Sequence, residues 1–165
     1  LDVSGKQISF NDIKKKNGTI LVFICNHCPY VKDIILRIIN DFNYLYTLDV
    51  GIAAIMSNDF KKYPEDSYVK MKEFAIKYKF TFPYLLDKDQ NVANNYKAVC
   101  TPDFFGFNKD NKLFYRGRLD SLRFQQKNKN REASLINAFK KMIDENIIIE
   151  NQHASIGCSI KWKQK

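Results

Sequence analysis

Two cysteines three residues apart, Cys25 and Cys28, are the residues whose spacing points most directly to chemistry. They follow an apolar run at residues 20–24 that is typical of a strand buried on both faces. Pro29 comes next, and proline is favoured at the first position of a helix. Cys28 is therefore predicted at a helix N-cap, where unpaired backbone N–H groups and the helix dipole stabilise a thiolate over a thiol. A thiolate in that position is a nucleophile.

The elements around the cysteines predict a βαβ unit. After Pro29, apolar residues recur at helical spacing and indicate a helix that ends near Asn43. A second short apolar run, at residues 50–56, predicts another buried strand. Two buried strands joined by a helix are expected to be parallel and connected in the right-handed sense.

The second half of the chain adds shorter elements. These are a helix that starts at 63–66, a strand at 82–86, a helix at 91–96, a β-hairpin of 103–107 and 112–118, an exposed polar loop at 121–131 with a mobile tip, and a last helix around 135–143. This order predicts one α/β domain over residues 1–165, with three layers (α/β/α) and a mixed central sheet.

Composition excludes several classes of protein. In a chain of 165 residues, 45% hydrophobic residues exclude global disorder, and no apolar run has the length needed to cross a bilayer. The net charge of +9 comes from scattered lysines rather than from a basic patch interleaved with aromatic residues, so we expect neither nucleic acid nor a membrane as a partner. One cysteine pair with dispersed single Cys and His residues does not suit a zinc site, and no metal or cofactor is expected.

Six motifs, spread over nearly the whole chain, carry a family resemblance. They lie at 23–32 (Phe-Ile-Cys-Asn-His-Cys-Pro-Tyr-Val-Lys), 57–59, 63–67, 100–105, 115–120 and 157–162. In these motifs the chain resembles the thioredoxin-like proteins of the AhpC/TSA, or peroxiredoxin-like, family. The resemblance implies a thioredoxin fold. It also implies an N-terminally truncated chain, because full-length members begin upstream of Leu1.

The resemblance also implies a proline in the cis form facing the redox cysteine. That residue would be Pro102, and the backbone at Thr101 and Pro102 would pair with an extended substrate chain. Asn26 and His27 would shape the site and, with Thr101 and Pro102, would bind the substrate. His27 either tunes the thiolate as a partly protonated imidazole or is a solvated loop residue.

Two alignments on a thioredoxin assign the cysteines differently. In one, Cys25 attacks and Cys28 resolves, as in an ordinary Cys-x-x-Cys site. In the other, Cys28 attacks, and Val31 stands where the resolving cysteine would be. The helix start at Pro29 favours the second alignment. Cys25 is then the expected resolving partner and Cys100 a second candidate, whereas Cys158 is expected to be a small buried hydrophobe.

The hypothesis of a thiol peroxidase agrees less well with the sequence. Peroxiredoxins carry a Pro-x-x-x-Thr-x-x-Cys pattern, but here Leu21 and Cys25 occupy the proline and threonine positions before Cys28. Arg116 or Arg118 could supply a cation to the thiolate.

We therefore predict an antioxidant-type thiol-disulfide oxidoreductase that acts on a disulfide-containing protein or small molecule. The electron donor would be of the thioredoxin or glutathione type. A thiol peroxidase and a non-catalytic binding module are the alternatives. A cytoplasmic location is favoured, with export or an organelle left open because the N-terminus is missing.

Overall fold

The computed structural model describes residues 1–126 and 130–164. Its strands, in chain order, are β1 (Thr19–Phe23), β2 (Gly51–Met56), β3 (Tyr84–Leu86), β4 (Cys100–Thr101), β5 (Asp103–Phe107), β6 (Leu113–Gly117) and β7 (Cys158–Ser159). Five of them form a central sheet in the order β3-β2-β1-β5-β6, and β4 pairs with β7 in a separate two-stranded sheet. The mixed sheet is confirmed, since β1 is parallel to β2 and antiparallel to β5.

The helices are α1 (Phe10–Ile13), α2 (Pro29–Thr47), α3 (Tyr68–Lys77), α4 (Asn91–Tyr96) and α5 (Ser134–Glu145). Helix α2 runs past the predicted end at Asn43, because buried Leu45 continues its apolar face. The predicted helix start at 63–66 is a separate 3-10 turn, Pro64–Asp66, since Ser67 is extended and interrupts the helix. Among the described residues, no helix combines the length and apolar character needed to span a membrane.

Strand β1 separates two hydrophobic cores because its side chains alternate between the faces of the sheet. Ile20 and Val22 pack with buried residues of α2, α3 and α5. Leu21 and Phe23 face the opposite side and pack with residues of α1 and α4. The sheet is thus covered on both faces, as in the predicted three-layer α/β/α architecture. The arrangement places the N-terminus of α2 at the end of β1.

The polar loop at 121–131 is only partly as expected. Residues 127–129, where a mobile tip was predicted, lie outside the described residues. The prediction of an exposed loop is wrong for Arg131, whose guanidinium group binds the buried carboxylates of Asp41 and Asp120. Partners 90 residues apart in sequence leave no local pattern from which such a contact could be predicted.

Candidate active site

Cys28 occupies the N-cap of α2, with Pro29 as the first residue of the helix. The position was predicted from the proline and is confirmed. Its side chain is buried, with no exposed surface. As a thiol, Cys28 donates a hydrogen bond to the Thr101 carbonyl oxygen at 3.1 Å. The sulfur thus lies at the start of a 19-residue helix and against the segment that precedes Pro102.

Besides the Thr101 carbonyl oxygen, several hydrogen-bond donors face the Cys28 sulfur. The Cys25 thiol and then the backbone N–H of Val31 lower the pKa of Cys28 to about 4, against an opposing effect of burial. The Cys158 thiol and backbone N–H act in the same direction. Val31 is in the first turn of α2, so its N–H is one of those without a partner inside the helix. The site therefore favours the thiolate of Cys28.

Cys25 has the opposite character. Its thiol is buried and lies 3.4 Å from the Thr101 hydroxyl group. The hydrogen bond to Cys28, burial and the nearby Asp66 carboxylate raise the pKa of Cys25 far above its usual range. Cys25 therefore stays protonated and is a donor to Cys28.

The peptide bond between Thr101 and Pro102 is cis, as the resemblance implied. Pro102 lines a cavity of about 380 Å³ together with Tyr30, Phe124 and Arg118. This cavity lies beside the Cys28–Thr101 contact and has the size of a small-molecule site. The substrate-binding roles of Thr101 and Pro102 stay predictions.

A buried carboxylate, Asp66, holds the loop that carries the cysteines. It accepts hydrogen bonds from the backbone N–H groups of Asn26 (2.8 Å) and His27 (3.3 Å), from His27 Nδ1 (2.7 Å) and from Asn58 Nδ2 (2.8 Å). The His27 ring also stacks on Tyr63, with centroids 5.5 Å apart. His27 is therefore not a solvated loop residue.

The Asn26 side chain has the same anchoring character. Its amide donates to the Glu65 carbonyl at 2.9 Å and accepts from the Tyr84 hydroxyl at 2.9 Å. Asn26 and His27 thus contact the Asp66 region rather than the cavity beside Pro102, and their predicted substrate-binding role stays a prediction. Sequence reasoning missed Asp66, which it treated only as an acidic residue at a helix start.

One group in the described part of the chain has the composition of a metal site. Ligand atoms of Cys25, His27 and Asp66 lie within 4.8 Å of one another. The Asp66 oxygens already accept four hydrogen bonds, and Cys25 is protonated beside the Cys28 thiolate. The group is accounted for without an ion, and the expected lack of a metal stays a prediction.

The two remaining cysteines have different surroundings, and the role of Cys100 as a second candidate partner stays a prediction. Cys100 is buried, its Sγ lies 3.5 Å from the Pro102 carbonyl oxygen, and burial raises its pKa to about 12. Cys158 packs against the hydrophobic core as expected but is half-buried rather than buried, and its thiol and N–H help to lower the pKa of Cys28. The signal in the sequence was its place in the motif at 157–162.

The two arginines considered as cations for the thiolate are engaged elsewhere. The Arg116 guanidinium lies 3.2 Å from the Asp103 carboxylate and stacks over the Phe105 ring. Arg118 donates to the Ser134 hydroxyl at 3.1 Å. The thiolate is thus stabilised by thiol and N–H donors rather than by an arginine.

Comparison with known proteins places this geometry in a family. A model of the AhpC/TSA family matches residues 1–116. The crystal structure of an uncharacterized conserved protein from Geobacillus kaustophilus is 39% identical, with a TM-score of 0.94 over 99% of this chain and 87% of that one. A hypothetical protein from Sinorhizobium meliloti 1021 is 30% identical, with a TM-score of 0.94 over 99% of this chain and 90% of that one.

Two more distant relatives have names that refer to disulfide chemistry. The thiol-disulfide oxidoreductase ResA of Bacillus subtilis (strain 168) is 27% identical over 112 residues, which are 68% of this chain and 58% of that protein. The chain thus spans little more than half the length of this curated relative. A secreted disulfide oxidoreductase of Mycobacterium tuberculosis, 18% identical, shares the fold with a TM-score of 0.57 over 68% of this chain and 76% of that one. The predicted thioredoxin-like fold is confirmed.

Proposed function

The chain belongs to the AhpC/TSA family, and from that membership and the geometry at Cys28 we propose that it is a thiol-disulfide oxidoreductase with Cys28 as nucleophile. The observation that carries the proposal is the Cys28 sulfur at the N-cap of α2, 3.1 Å from the Thr101 carbonyl oxygen that precedes cis-Pro102. The name of the Bacillus subtilis relative supports the same reaction class.

The reaction proceeds by two thiol-disulfide exchanges. The Cys28 thiolate attacks one sulfur of a substrate disulfide, the S–S bond breaks, and the departing thiolate takes a proton from water. A second thiol then attacks the Cys28 sulfur and releases the other half of the substrate as a thiol. The resulting disulfide is reduced by an external dithiol or by two thiols, such as a donor of the thioredoxin or glutathione type.

Two contacts prepare Cys28 for the first step. The Cys25 thiol donates to the Cys28 sulfur, so the attacking form is the anion at neutral pH. The Asp66 carboxylate fixes the backbone of Asn26 and His27, and with it the spacing between the two cysteines.

Reduction of a small disulfide tests the proposal. Reduced protein is mixed with bis(2-hydroxyethyl) disulfide, and Cys28→Ser is the matched control. We expect a mixed disulfide or a protein disulfide in the wild type, turnover of the probe when a thioredoxin system and NADPH are added, and neither in Cys28→Ser.

The same assay with hydrogen peroxide separates the alternatives. Fast NADPH-coupled consumption of peroxide without consumption of the disulfide would replace the proposal with a thiol peroxidase. If Cys28 reacts with neither oxidant, the fold acts as a binding module.

A further inference from the structure

The C-terminal segment, residues 153–163, crosses the site and is fixed on both sides of Cys158. Upstream, the His153 carbonyl accepts from the Arg118 N–H at 2.9 Å, and the Ser155 hydroxyl donates to the Gly117 carbonyl. Downstream, the Lys161 N–H donates to Asn58 Oδ1 at 2.9 Å. Cys158 is thus held in the site by the fold.

Within this segment, β7 pairs antiparallel with β4, and the register sets Cys158 opposite Thr101. This is the backbone edge beside cis-Pro102 that was expected to pair with an extended substrate chain. Thr101 itself contacts Cys28, whose sulfur has no exposed surface and lies 3.1 Å from the Thr101 carbonyl oxygen, and the Cys158 thiol and N–H help to lower the pKa of Cys28. Cys158 therefore stands where the cysteine of a backbone-paired substrate would stand.

Gly157 makes this close approach possible. A Cβ atom at Gly157 would lie 2.1 Å from the Thr101 carbonyl oxygen and 2.6 Å from its carbon. Contacts that short to backbone atoms cannot be relieved by a side-chain rotation. Any larger residue at this position would separate β7 from β4.

We propose that the C-terminal segment is a built-in mimic of an extended disulfide substrate and that its Cys158, rather than Cys25, resolves the mixed disulfide formed at Cys28. The inference rests on the proposed function and names a further catalytic residue for it. Its basis is the pairing of Cys158 with Thr101, the contact of Thr101 with the Cys28 sulfur and the requirement for Gly157.

The surroundings of the two thiols favour Cys158. Once Cys28 is in a disulfide its negative charge is gone, so neither thiol is held protonated by it any longer. Cys25 still faces burial and the Asp66 carboxylate, both of which raise its pKa. Cys158 is less buried: burial and the Cys28 sulfur raise its pKa to about 11, well short of the rise at Cys25, and the Lys161 ammonium group opposes that rise. Cys158 can therefore form the attacking thiolate more readily than Cys25.

The two-residue pairing of β7 with β4 opens and uncovers Cys28, which attacks the substrate disulfide and releases one thiol. The segment returns, Cys158 loses its proton to water, and its thiolate attacks the Cys28 sulfur. The second substrate thiol leaves, so one substrate disulfide is reduced and one disulfide, between Cys28 and Cys158, is formed. An external dithiol reduces it again.

Peptide mapping tests the inference directly in the full chain. Trypsin places Cys25 and Cys28 together in peptide 17–32, Cys100 in peptide 98–109 and Cys158 in peptide 142–161. After one equivalent of bis(2-hydroxyethyl) disulfide and alkylation of free thiols, we expect peptide 17–32 joined to peptide 142–161. Peptide 17–32 that has only lost two hydrogens internally would overturn the inference, because it identifies Cys25 as the resolving thiol.

Matched variants assign the step. In Cys158→Ser we expect the mixed disulfide at Cys28 to form and persist, whereas in Cys25→Ser the link to Cys158 still forms. Resolution at an unchanged rate in Cys158→Ser would overturn the inference and leave the proposed function standing. If no mixed disulfide forms at Cys28 in Cys158→Ser, both the inference and the proposed function fail.

Gly157→Ala tests the strand pairing without removing a thiol. We expect Cys28 to be alkylated by iodoacetamide roughly tenfold faster and the link between Cys28 and Cys158 to form more slowly, because β7 is displaced. An unchanged alkylation rate would contradict the cover that the segment provides.

Discussion

Two clusters, each built around one or two buried carboxylates, lie at different points along α2. The negative charges of the two clusters are neutralised differently. The Asp66 cluster (Asp66, Asn26, His27 and Asn58) lies at the helix start, beside the cysteines. The arginine cluster (Arg37, Arg131, Asp41 and Asp120) lies along the middle of the helix. Asp66 is bound by N–H groups and one imidazole, whereas Asp41 and Asp120 are bound by guanidinium groups.

The arginine cluster connects distant parts of the chain. Arg131 forms a bidentate pair with Asp41 and also binds Asp120 at 2.7 Å, while Arg37 binds Asp120 at 2.9 Å. Because guanidinium groups remain charged at any physiological pH, the cluster keeps its cations there and fixes α2 against the segment before α5.

The Asp66 cluster is bound mainly through the backbone of the cysteine loop. Its donors fix where Cys25 and Cys28 lie and place no permanent cation next to the thiolate. The contrast teaches that this fold keeps its strong charges for the scaffold and uses hydrogen-bond geometry at the site. Variants that separate stability from thiol reactivity test this division.

The largest effect is expected from Arg131→Met. It leaves Asp41 and Asp120 buried with fewer partners, and since Arg131 is partly exposed we expect a loss of about 3 kcal/mol in the free energy of unfolding. Urea denaturation measures it. Arg131→Lys, which keeps the charge but not the planar fork, should lose less. In the folded variants the alkylation rate of Cys28 stays at the wild-type value, and a large change would contradict the division.

Asp66→Asn is expected to act mainly on the site. An amide cannot accept all four hydrogen bonds, so we expect a loss of stability of about 1–3 kcal/mol. Because the cysteine loop shifts, reduction of bis(2-hydroxyethyl) disulfide should slow by roughly tenfold to a hundredfold. If the rate falls no more than in Arg131→Met, Asp66 is a scaffold residue and the comparison fails.

The pH dependence of Cys28 reactivity is the next test of the difference between the two clusters. With its pKa lowered to about 4 by the Cys25 thiol and the Val31 N–H, Cys28 is a thiolate above that pH and is protonated as the pH falls through it. In the unfolded chain the pKa of the thiol is about 8.5. The thiolate therefore contributes its full stabilisation of the fold above that pH, and progressively less as the pH falls toward 4.

The rate of mixed-disulfide formation by wild-type Cys28 should therefore be nearly constant between about pH 5.5 and 8. Stopped-flow measurement with Cys158→Ser isolates this step, and the plateau is expected to persist there because Cys25 and Val31 contribute more than Cys158 to the lowered pKa of Cys28. Arg131→Met should leave this pH–rate profile unchanged. A profile whose midpoint lies at about pH 8.5 in the folded protein would show that the site does not stabilise the thiolate.

The smallest effect is expected from His27→Gln. Asp66 keeps its three other donors, so the loss of the imidazole contact and of the stack on Tyr63 should cost about 0.5–1.5 kcal/mol. Thermal unfolding checks the stability, with Tyr63→Leu as a variant that removes only the stack. A loss of reactivity as large as in Asp66→Asn would assign His27 a direct part in the chemistry.

The sequence was sufficient where the signal is local. The N-cap position of Cys28 follows from Pro29 and the preceding apolar strand, and the hairpin β5–β6 follows from its turn residues. The cis form of Pro102 came from the family resemblance. Each of these depends on residues that are close together in the chain or on a motif that contains them.

The site contacts that were missed are all between distant residues. Asp66 binds a backbone N–H 40 residues away, and strand β7 has only two residues and no periodicity. Its pairing with β4 is set by tertiary structure rather than by propensity. In the sequence Cys158 is therefore an isolated cysteine, and only the tertiary structure places it at the site of Cys28.

The pairing of β7 with β4 also affects which disulfides can reach Cys28. A protein client that needs the Thr101 edge competes with a segment of the same chain, whose effective concentration is of the order of millimolar. Low-molecular-weight disulfides also require the segment to open and uncover Cys28, but they do not have to occupy the Thr101 edge in its place. If residues 153–163 act as proposed, small disulfides are expected to be reduced faster than extended protein clients.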